Sequence, residues 1–397
     1  MEEDIRLRVK GMNSTSYQRV IDALEHREPD RIPFDLGAAA VTGINIRALG
    51  NLKKYLGIET ESHVRDDITQ LAEFDPFMAD LFRVDVGVAK PVPPSVAPLR
   101  IESHLEGNHY RLTDEFGIGW QMPVDGGMYY DQYLHPLAAA ETVKDIERYP
   151  WPDPLDPERF AGMEDQVDRV IDREQKGCLI ERMSSGMWEH AMWMTGYEKF
   201  FMDMLGNEML IRALMEKILE LKMNYWGKVL DIIGNRTVII SCADDLGTQD
   251  SLLISLGLYK KIIWPFHCRL FRFIKQRSHG KAYIFFHNDG AIMETIPLLI
   301  EAGVDILNPF QVNCRGMDTA KFKSEFGRDL TIWGGSCDSQ YVLPKGSPQE
   351  VRDETKRRID DLAPGGGFIF APIHVIQGDV PPENIMAWWE TLNEYRG

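Results

Sequence analysis

The segment Ala282-Tyr-Ile-Phe-Phe-His-Asn-Asp-Gly290 is an apolar run that ends in polar residues, and Gly365-Gly-Gly-Phe-Ile-Phe-Ala-Pro-Ile-His374 has the same pattern. Such a run is typical of a buried parallel strand whose carboxyl end reaches a functional rim. His287 and Asp289 are two residues apart, so both can project from the same side of an extended strand end. We predict that these strands bring His287 and His374 to one site. Two buried, hydrogen-bonded histidines without any metal explain the pattern equally well.

Strand-then-helix alternation extends outward from these two segments. Strands are predicted over residues 31–38, 84–88, 178–181, 237–241, 282–286, 304–308, 330–333 and 367–371. Helices are predicted between them, including helices near residues 44–55 and 66–83. Regular alternation indicates a parallel sheet, and eight such units close most simply as a barrel. The sequence therefore predicts an α/β fold of the (β/α)8 TIM-barrel class.

Two segments fall outside this alternation. Residues 1–30 carry a helical pattern that Glu28-Pro-Asp30 ends, which predicts an N-terminal helical extension. Residues 100–135 change to a period of two with several glycines, which predicts an inserted β-hairpin or small antiparallel sheet. We interpret residues 1–397 as a single domain, because α/β barrels often reach this length with insertions.

Composition and charge exclude several classes of protein. The formal net charge of −17 repels nucleic-acid phosphates, and no basic stripe offsets it, so nucleic acid is not an expected partner. No apolar run approaches the roughly 18 residues that span a bilayer, and the acidic N-terminus lacks the apolar core of a signal peptide. The five cysteines contain no Cys-x-x-Cys pair. We therefore expect a cytoplasmic protein without a membrane segment.

Two imidazoles and one carboxylate form the candidate metal set: His287, Asp289 and His374. Such a set suits a catalytic zinc, which takes three protein ligands and keeps one position open. It also suits iron(II), so the residues alone do not name the metal. Cys337, which follows the strand predicted over 330–333, adds a thiolate as an alternative ligand.

Six further residues near the predicted strand ends are candidates for substrate contact: Glu181, Asp245 and Gln311 through polar atoms, and Trp188, Phe286 and Trp333 through their rings. The three polar residues are also candidates for an additional metal ligand. Adjacent Asp244 and Asp245 cannot both point inward, so one of them is expected to cap a helix or support the site.

Five segments in order resemble the uroporphyrinogen decarboxylase superfamily: Glu28–Gly37, Asp244–Gln249, His287–Gly290, Glu301–Pro309 and Gly365–Asn384. The resemblance implies a (β/α)8 barrel with its active cleft at the carboxyl rim. The superfamily contains porphyrinogen decarboxylases and zinc-dependent methyltransferases that exchange methyl groups with a corrinoid protein.

The chain resembles the methyltransferases more than the decarboxylases. True decarboxylases carry Arg-Gln-Ala-Gly-Arg for the substrate carboxylates, and the matching place here reads Phe34-Asp-Leu-Gly-Ala-Ala-Ala40. A polyanionic porphyrinogen would lack its counter-charges there. Methyltransferases of the methanol and methylamine systems bind zinc through a His-x-Cys pair and a later cysteine. The corresponding positions here are His287, Asp289 and, counted back from Pro381-Pro-Glu-Asn384, His374.

The resemblance implies transfer of a methyl group from an O-methyl donor, a methoxylated aromatic compound, to the cobalt of a separate corrinoid (cobalamin-binding) protein. Imidazole and carboxylate ligands make zinc a stronger Lewis acid toward an ether oxygen than thiolates do. The expected partners are that corrinoid protein and the small-molecule donor, and a homodimer is one oligomeric state that the sequence allows. Two alternatives stay open: a metal-free, decarboxylase-like enzyme acting on a small acid, and a small-ligand-binding barrel.

Overall fold

A curled parallel sheet lies at the centre of the fold in the computed structural model, which describes residues 14–92 and 104–395. The strands are β1 (Val64–Asp66), β2 (Leu71–Ala72), β3 (Val86–Ala89), β4 (His104–Glu106), β5 (His109–Thr113), β6 (Gly119–Pro123), β7 (Asp131–Leu134), β8 (Gly177–Ile180), β9 (Val238–Ala243), β10 (Ala282–His287), β11 (Ile306–Asn308), β12 (Thr331–Trp333) and β13 (Phe368–Ile369). Seven of them form the parallel sheet, in the order β3-β8-β9-β10-β11-β12-β13.

Residues around Phe34 close this sheet into a barrel. Phe34 forms a parallel bridge with Phe370, directly after β13. On its other side, the backbone N–H of Asp85, directly before β3, donates to the Phe34 carbonyl at 2.8 Å. The strand predicted over 31–38 is therefore a single bridge in the structure, and it supplies the eighth position. The (β/α)8 TIM-barrel class is confirmed.

Helices surround the barrel. The α-helices are Ser16–Leu24, Ile46–Tyr55, Pro76–Leu81, Val143–Arg148, Met163–Asp168, Trp188–Thr195, Tyr197–Gly206, Glu208–Ile233, Leu256–Leu258, Trp264–Arg277, Ile296–Ala302, Thr319–Phe326, Val342–Lys345, Pro348–Leu362 and Pro382–Glu394. Short 3-10 or π turns are Pro157–Phe160, Arg169–Arg173, Tyr259–Ile263 and Met293–Thr295. Within residues 14–92 and 104–395, no helix combines the length and apolarity needed to cross a membrane.

Alternation along β10 separates the barrel interior from the layer under the helices. Phe285 packs in the interior, where its ring centroid lies 5.3 Å from that of Trp333. Phe286 points outward and packs against the rings of His267 and Phe271. Because successive side chains of a strand point to opposite faces, His287 lies on the interior side with Phe285.

The helix Ser16–Leu24 covers the amino end of the barrel. Val20 and Ala23 belong to the interior apolar cluster, and the Gly367 N–H donates to the Ala23 carbonyl at 2.9 Å. This helix lies inside the N-terminal extension predicted over 1–30, of which residues 1–13 lie outside the described residues.

The segment between β3 and β8 contains an antiparallel sheet of four strands in the order β4-β5-β6-β7. It matches the small antiparallel sheet predicted over 100–135, of which residues 100–103 lie outside the described residues. The sheet packs on the helix Trp188–Thr195. At this contact the rings of Trp120 and Trp193 meet edge to face, with centroids 5.1 Å apart.

The helix predicted over 66–83 is wrong in its first half. Residues 64–72 contain the antiparallel pair β1 and β2, and the helix begins at Pro76. Non-local bonds hold this pair in place: the Ala72 N–H donates to the Ile44 carbonyl at 2.8 Å, and the Ile46 N–H to the Gln70 carbonyl at 3.0 Å. Tertiary pairing therefore overrides the local helical pattern.

Candidate metal centre

Three metal-competent side chains meet at the carboxyl rim of the barrel. His287 ends β10, Asp289 follows it by two residues, and His374 lies in the segment after β13. One ligand atom of each side chain lies within 4.8 Å of the others. His287 Nε2 is 3.9 Å from Asp289 Oδ2, and the two imidazole centroids are 5.4 Å apart. This spacing is close to that of ligand atoms around a single ion.

Asn308 fixes the orientation of the His287 ring. The Asn308 side-chain amide donates from Nδ2 to the Trp333 carbonyl at 2.7 Å, which turns its Oδ1 toward His287. His287 Nδ1 lies 2.7 Å from that oxygen and donates to it. The proton on Nδ1 leaves the lone pair on Nε2, the atom that faces Asp289. Metal-binding histidines are commonly oriented in this way.

Burial keeps both imidazoles neutral. Burial, then His374 and Arg182, lower the pKa of His287 well below its ordinary value. Burial and Arg182 lower the pKa of His374 to about 4. Both rings therefore retain a free lone pair near pH 7, which metal ligation requires.

The carboxyl groups beside them, Asp289 and Asp245, form no ion pair with a lysine or arginine among the described residues. Asp289 Oδ1 is buried and has no hydrogen-bond partner in the described parts of the chain. Burial and the nearby Glu189 raise the pKa of Asp289 to about 7, and burial and Asp289 raise the pKa of Asp245. A buried carboxylate without a partner is costly, and a bound divalent cation would supply the missing positive charge. The donor set and its electrostatics fit a metal ion.

Two glycines let the loops after β9 and β10 approach each other. Gly290 has φ +101°, and a Cβ there would lie 2.4 Å from the backbone of Gly247, so a larger residue would separate the loops. The Gly290 N–H donates to Gln311 Oε1 at 2.7 Å, and the Asp289 N–H donates to Asp245 Oδ1 at 2.9 Å. These contacts hold Asp289 at the rim.

Asp244 and Asp245 point in different directions, as their adjacency predicts. Asp244 accepts from the backbone N–H groups of Met187 and Glu189 at 3.0 and 2.9 Å, at the start of a helix. His267 Nε2 lies 2.6 Å from its Oδ2. Asp244 therefore positions the helix behind the site, whereas Asp245 faces the cavity.

A cavity of about 380 Å3 opens beside the metal-competent group. His287 and His374 line one part of it. Aromatic residues of the inserted sheet and the adjacent helix line another part: Phe116, Trp120, His190 and Trp193. This volume lies in the usual range for a small-molecule site.

Residues 114–395 match the family model described as uroporphyrinogen decarboxylase (URO-D), which is well over half of the chain. The chain belongs to the uroporphyrinogen decarboxylase family. Among solved structures, it resembles a methyltransferase from Methanosarcina mazei, with 16% sequence identity and a TM-score of 0.64. The match covers 96% of this chain and 99% of that chain, and at this identity it shows a shared fold. Comparison with curated proteins gives no match.

Two of the six predicted substrate contacts line the cavity of this uroporphyrinogen decarboxylase family member, Glu181 and Asp245. Glu181 Oε1 accepts from the Ala40 N–H at 2.7 Å and from Arg65 Nη2 at 3.1 Å. These bonds hold the carboxylate at the cavity wall.

The other four are not among the residues that line the cavity. Gln311 accepts from Gly290, as described above, and the buried Trp188 donates from its indole nitrogen to the Asp245 carbonyl at 3.0 Å. Phe286 lies outside the barrel wall. Trp333 lies in the interior, where its Nε1–H donates to Asp35 Oδ2 at 2.9 Å.

Several cavity residues were not singled out from the sequence. Phe116, Trp120 and His190 line the cavity, and Asn308 orients His287. Of these residues, only Asn308 was indicated by the sequence, through its position at a predicted strand end. Cys337 is buried, and it is not part of the metal-competent group found among the described residues.

Proposed function

We propose that this chain is a methyltransferase that moves a methyl group from an O-methyl donor to the cobalt of a separate corrinoid protein. The proposed donor is a methoxylated aromatic compound. The observation that carries the proposal is the group His287, Asp289 and His374 beside an aromatic-walled cavity. The fold shared with a protein named as a methyltransferase supports it.

Zinc is the proposed ion, held by His287 Nε2, Asp289 and His374. When bound there, it would act as a Lewis acid toward the ether oxygen. Asn308 keeps His287 Nε2 free, and Asp245 fixes the Asp289 backbone, so the ligands are held before any substrate arrives. Because the ligands are already oriented, no free energy is needed to reorient them during the reaction.

The aromatic walls orient the donor. Phe116, Trp120 and Trp193 offer apolar surface to a flat ring. A ring held there can direct its methoxy carbon toward an attacking cobalt(I). In the reaction the methyl–oxygen bond breaks and its electron pair stays on oxygen, while the cobalt electron pair forms the new cobalt–carbon bond. The phenolate then takes a proton from water.

The charge of the cavity disfavours the alternative of a decarboxylase acting on a small acid. Among the described residues that line it, Arg182 is the one arginine or lysine, and its Nη1 donates to Ser241 Oγ at 2.7 Å. A carboxylate substrate would find no free cation among those residues to pair with, and burying an unpaired charge is costly. An uncharged aromatic ether avoids this cost.

A direct test combines the zinc-loaded chain with cob(I)alamin and 4-methoxyphenol under strictly anaerobic conditions. The expected result is methylcobalamin together with one equivalent of hydroquinone, the demethylated product of 4-methoxyphenol. Methanethiol and methylamine should be poor donors, because imidazole and carboxylate ligands favour activation of oxygen.

His374→Ala should abolish the reaction, whereas His104→Ala, which changes an exposed histidine of β4, should leave it unchanged. Turnover of the methylated thiol with none for any aromatic ether would overturn the choice of donor. Undiminished turnover in His374→Ala would overturn the assigned site.

A further inference from the structure

The wall formed by the inserted sheet and the helix Trp188–Thr195 is distinct from the metal-competent rim. Trp120 of β6 and Trp193 of the helix meet at an interplanar angle of 87°. Phe116 lies beside them, and its centroid is 4.1 Å from the ring of His190. This wall is apolar apart from a few polar groups, and such groups usually decide which ligands a site accepts.

His190 is the unusual polar residue of this wall. It lines the cavity with only 2% of its surface exposed, and neither ring nitrogen has a hydrogen-bond partner among residues 14–92 and 104–395. Burial and the charge of Lys222 lower its pKa to about 3, so the ring is neutral. A neutral imidazole offers one donor and one acceptor. Leaving both unpaired in a buried position costs free energy that a suitable ligand atom would recover.

The acidic residues of the cavity restrict what that ligand atom can be: Asp66, Asp114, Glu115, Glu181, Glu189 and Asp245 line it, against the single basic Arg182 in the described lining. Glu115 pairs with Arg159, and Glu181 with Arg65. Glu189 and Asp245 have no such arginine partner among the ion pairs of the described residues. A carboxylate on the donor ring would therefore be buried without a free cation beside it, which is costly, whereas an uncharged hydroxyl avoids that cost.

We propose that His190 selects methyl donors that carry an uncharged hydroxyl on the aromatic ring, over rings that lack the hydroxyl or carry a carboxylate. This inference rests on the proposed function, which makes an aromatic ether the substrate. A phenolic hydroxyl can both donate and accept, so it can pair with either nitrogen of the neutral ring. His190 is then a specificity residue that contacts the donor away from the methyl group.

Equilibrium binding tests this role without any corrinoid. Isothermal titration of the full zinc-loaded chain with 4-methoxyphenol, anisole and 4-methoxybenzoate gives three dissociation constants. We expect 4-methoxyphenol to bind about tenfold more tightly than anisole, the usual net effect of one hydrogen bond. We expect 4-methoxybenzoate to bind more weakly than 4-methoxyphenol.

His190→Phe keeps a ring in place and removes both nitrogens, so the ratio between anisole and 4-methoxyphenol should fall to about one. His190→Gln retains a donor and an acceptor and should restore part of the ratio. His104→Phe is the matched control at an exposed histidine and should leave the ratio unchanged. A ratio unaltered in His190→Phe overturns the proposal, as does tight binding of 4-methoxybenzoate.

The two proposals can fail separately. If 4-methoxyphenol is preferred through His190 but no methyl group reaches cobalt, the role of His190 stands and the methyl-transfer function fails. If aromatic ethers are demethylated but the wild-type chain binds anisole and 4-methoxyphenol equally, the function stands and the role of His190 fails.

Discussion

Asp85, which is fully buried, and Asp289, which is half-buried, lie at opposite ends of the barrel, and their surroundings differ in kind. At the amino end, Asp85 accepts from Arg19 Nη1 at 2.8 Å, from both terminal nitrogens of Arg31 at 2.7 and 2.6 Å, and from the Phe34 N–H at 2.9 Å. At the carboxyl rim, Asp289 has an oxygen without a partner among the described residues, and its neighbours are acidic.

The difference shows how one barrel divides stability and function. The charges at the amino end are paired by the chain itself, and they join the N-terminal helix, the closing bridge and β3. At the rim, where (β/α)8 barrels place their chemistry, Asp245 and Asp289 form no ion pair with a lysine or arginine among the described residues. Burying an unpaired acid costs free energy in the folded state, and a bound ligand is the simplest source of compensating interactions.

The largest expected effect is a loss of stability when the paired aspartate at the amino end is removed. Asp85→Ala leaves two guanidinium groups without their buried partner, so it should lower the free energy of unfolding by about 3–5 kcal/mol. Asp289→Ala in metal-free protein should leave that free energy unchanged or raise it, because it removes a half-buried acid that has no cationic partner. Urea unfolding of both variants, followed by circular dichroism, measures the two values.

Equal losses in Asp85→Ala and metal-free Asp289→Ala would contradict the division. They would mean that the rim aspartate is paired within the protein as completely as the aspartate at the amino end.

A smaller effect concerns Asp35, which lies between the two ends in the barrel interior. Burial raises its pKa to about 6, despite bonds from Thr42, Ala38 and Trp333. The folded state then holds a proton between about pH 4 and 6 that the unfolded state releases, so stability falls as pH rises through this window. Relative to Asp35→Asn, the wild-type chain should lose about 2.4 kcal/mol between pH 4 and pH 7.

Denaturant unfolding at four pH values from 4 to 7 measures this difference. Parallel curves for the wild-type chain and Asp35→Asn would contradict the raised pKa of Asp35.

A third prediction concerns zinc affinity at the rim. Asn308→Ala removes the group that orients His287, and the loss of such a supporting contact typically costs about 10–100-fold in metal affinity. Asn384 is a matched control, since its buried amide donates to the Leu343 carbonyl at 2.9 Å away from the site. Asn384→Ala should leave zinc affinity unchanged in competition with a chromophoric chelator. Equal affinities in the two variants would remove Asn308 from the site.

The sequence predicted the barrel strands well because each is a short apolar run followed by polar residues. It also indicated which residues cluster at the rim, through the pattern around His287 and the position of His374. It did not predict β1 and β2, because strands of three and two residues depend on distant partners such as Ile44. Local periodicity contains no information about such partners.

The cavity walls were harder to predict than the metal-competent group. Phe286 was a candidate for ring packing, yet the alternation that turns His287 inward must turn Phe286 outward. That step needed only the strand register. The positions of Phe116 and Trp120 depend on how the inserted sheet packs over the rim, and no pattern within residues 100–135 specifies that packing.

The zinc content of protein prepared without chelator tests whether His287, Asp289 and His374 hold a zinc ion. We expect about one zinc per chain in the wild-type protein and in His104→Ala. His287→Ala and His374→Ala should each contain almost none, with unfolding still cooperative. Unchanged metal content in both rim variants, or iron in place of zinc in the wild-type chain, would contradict the proposed zinc site.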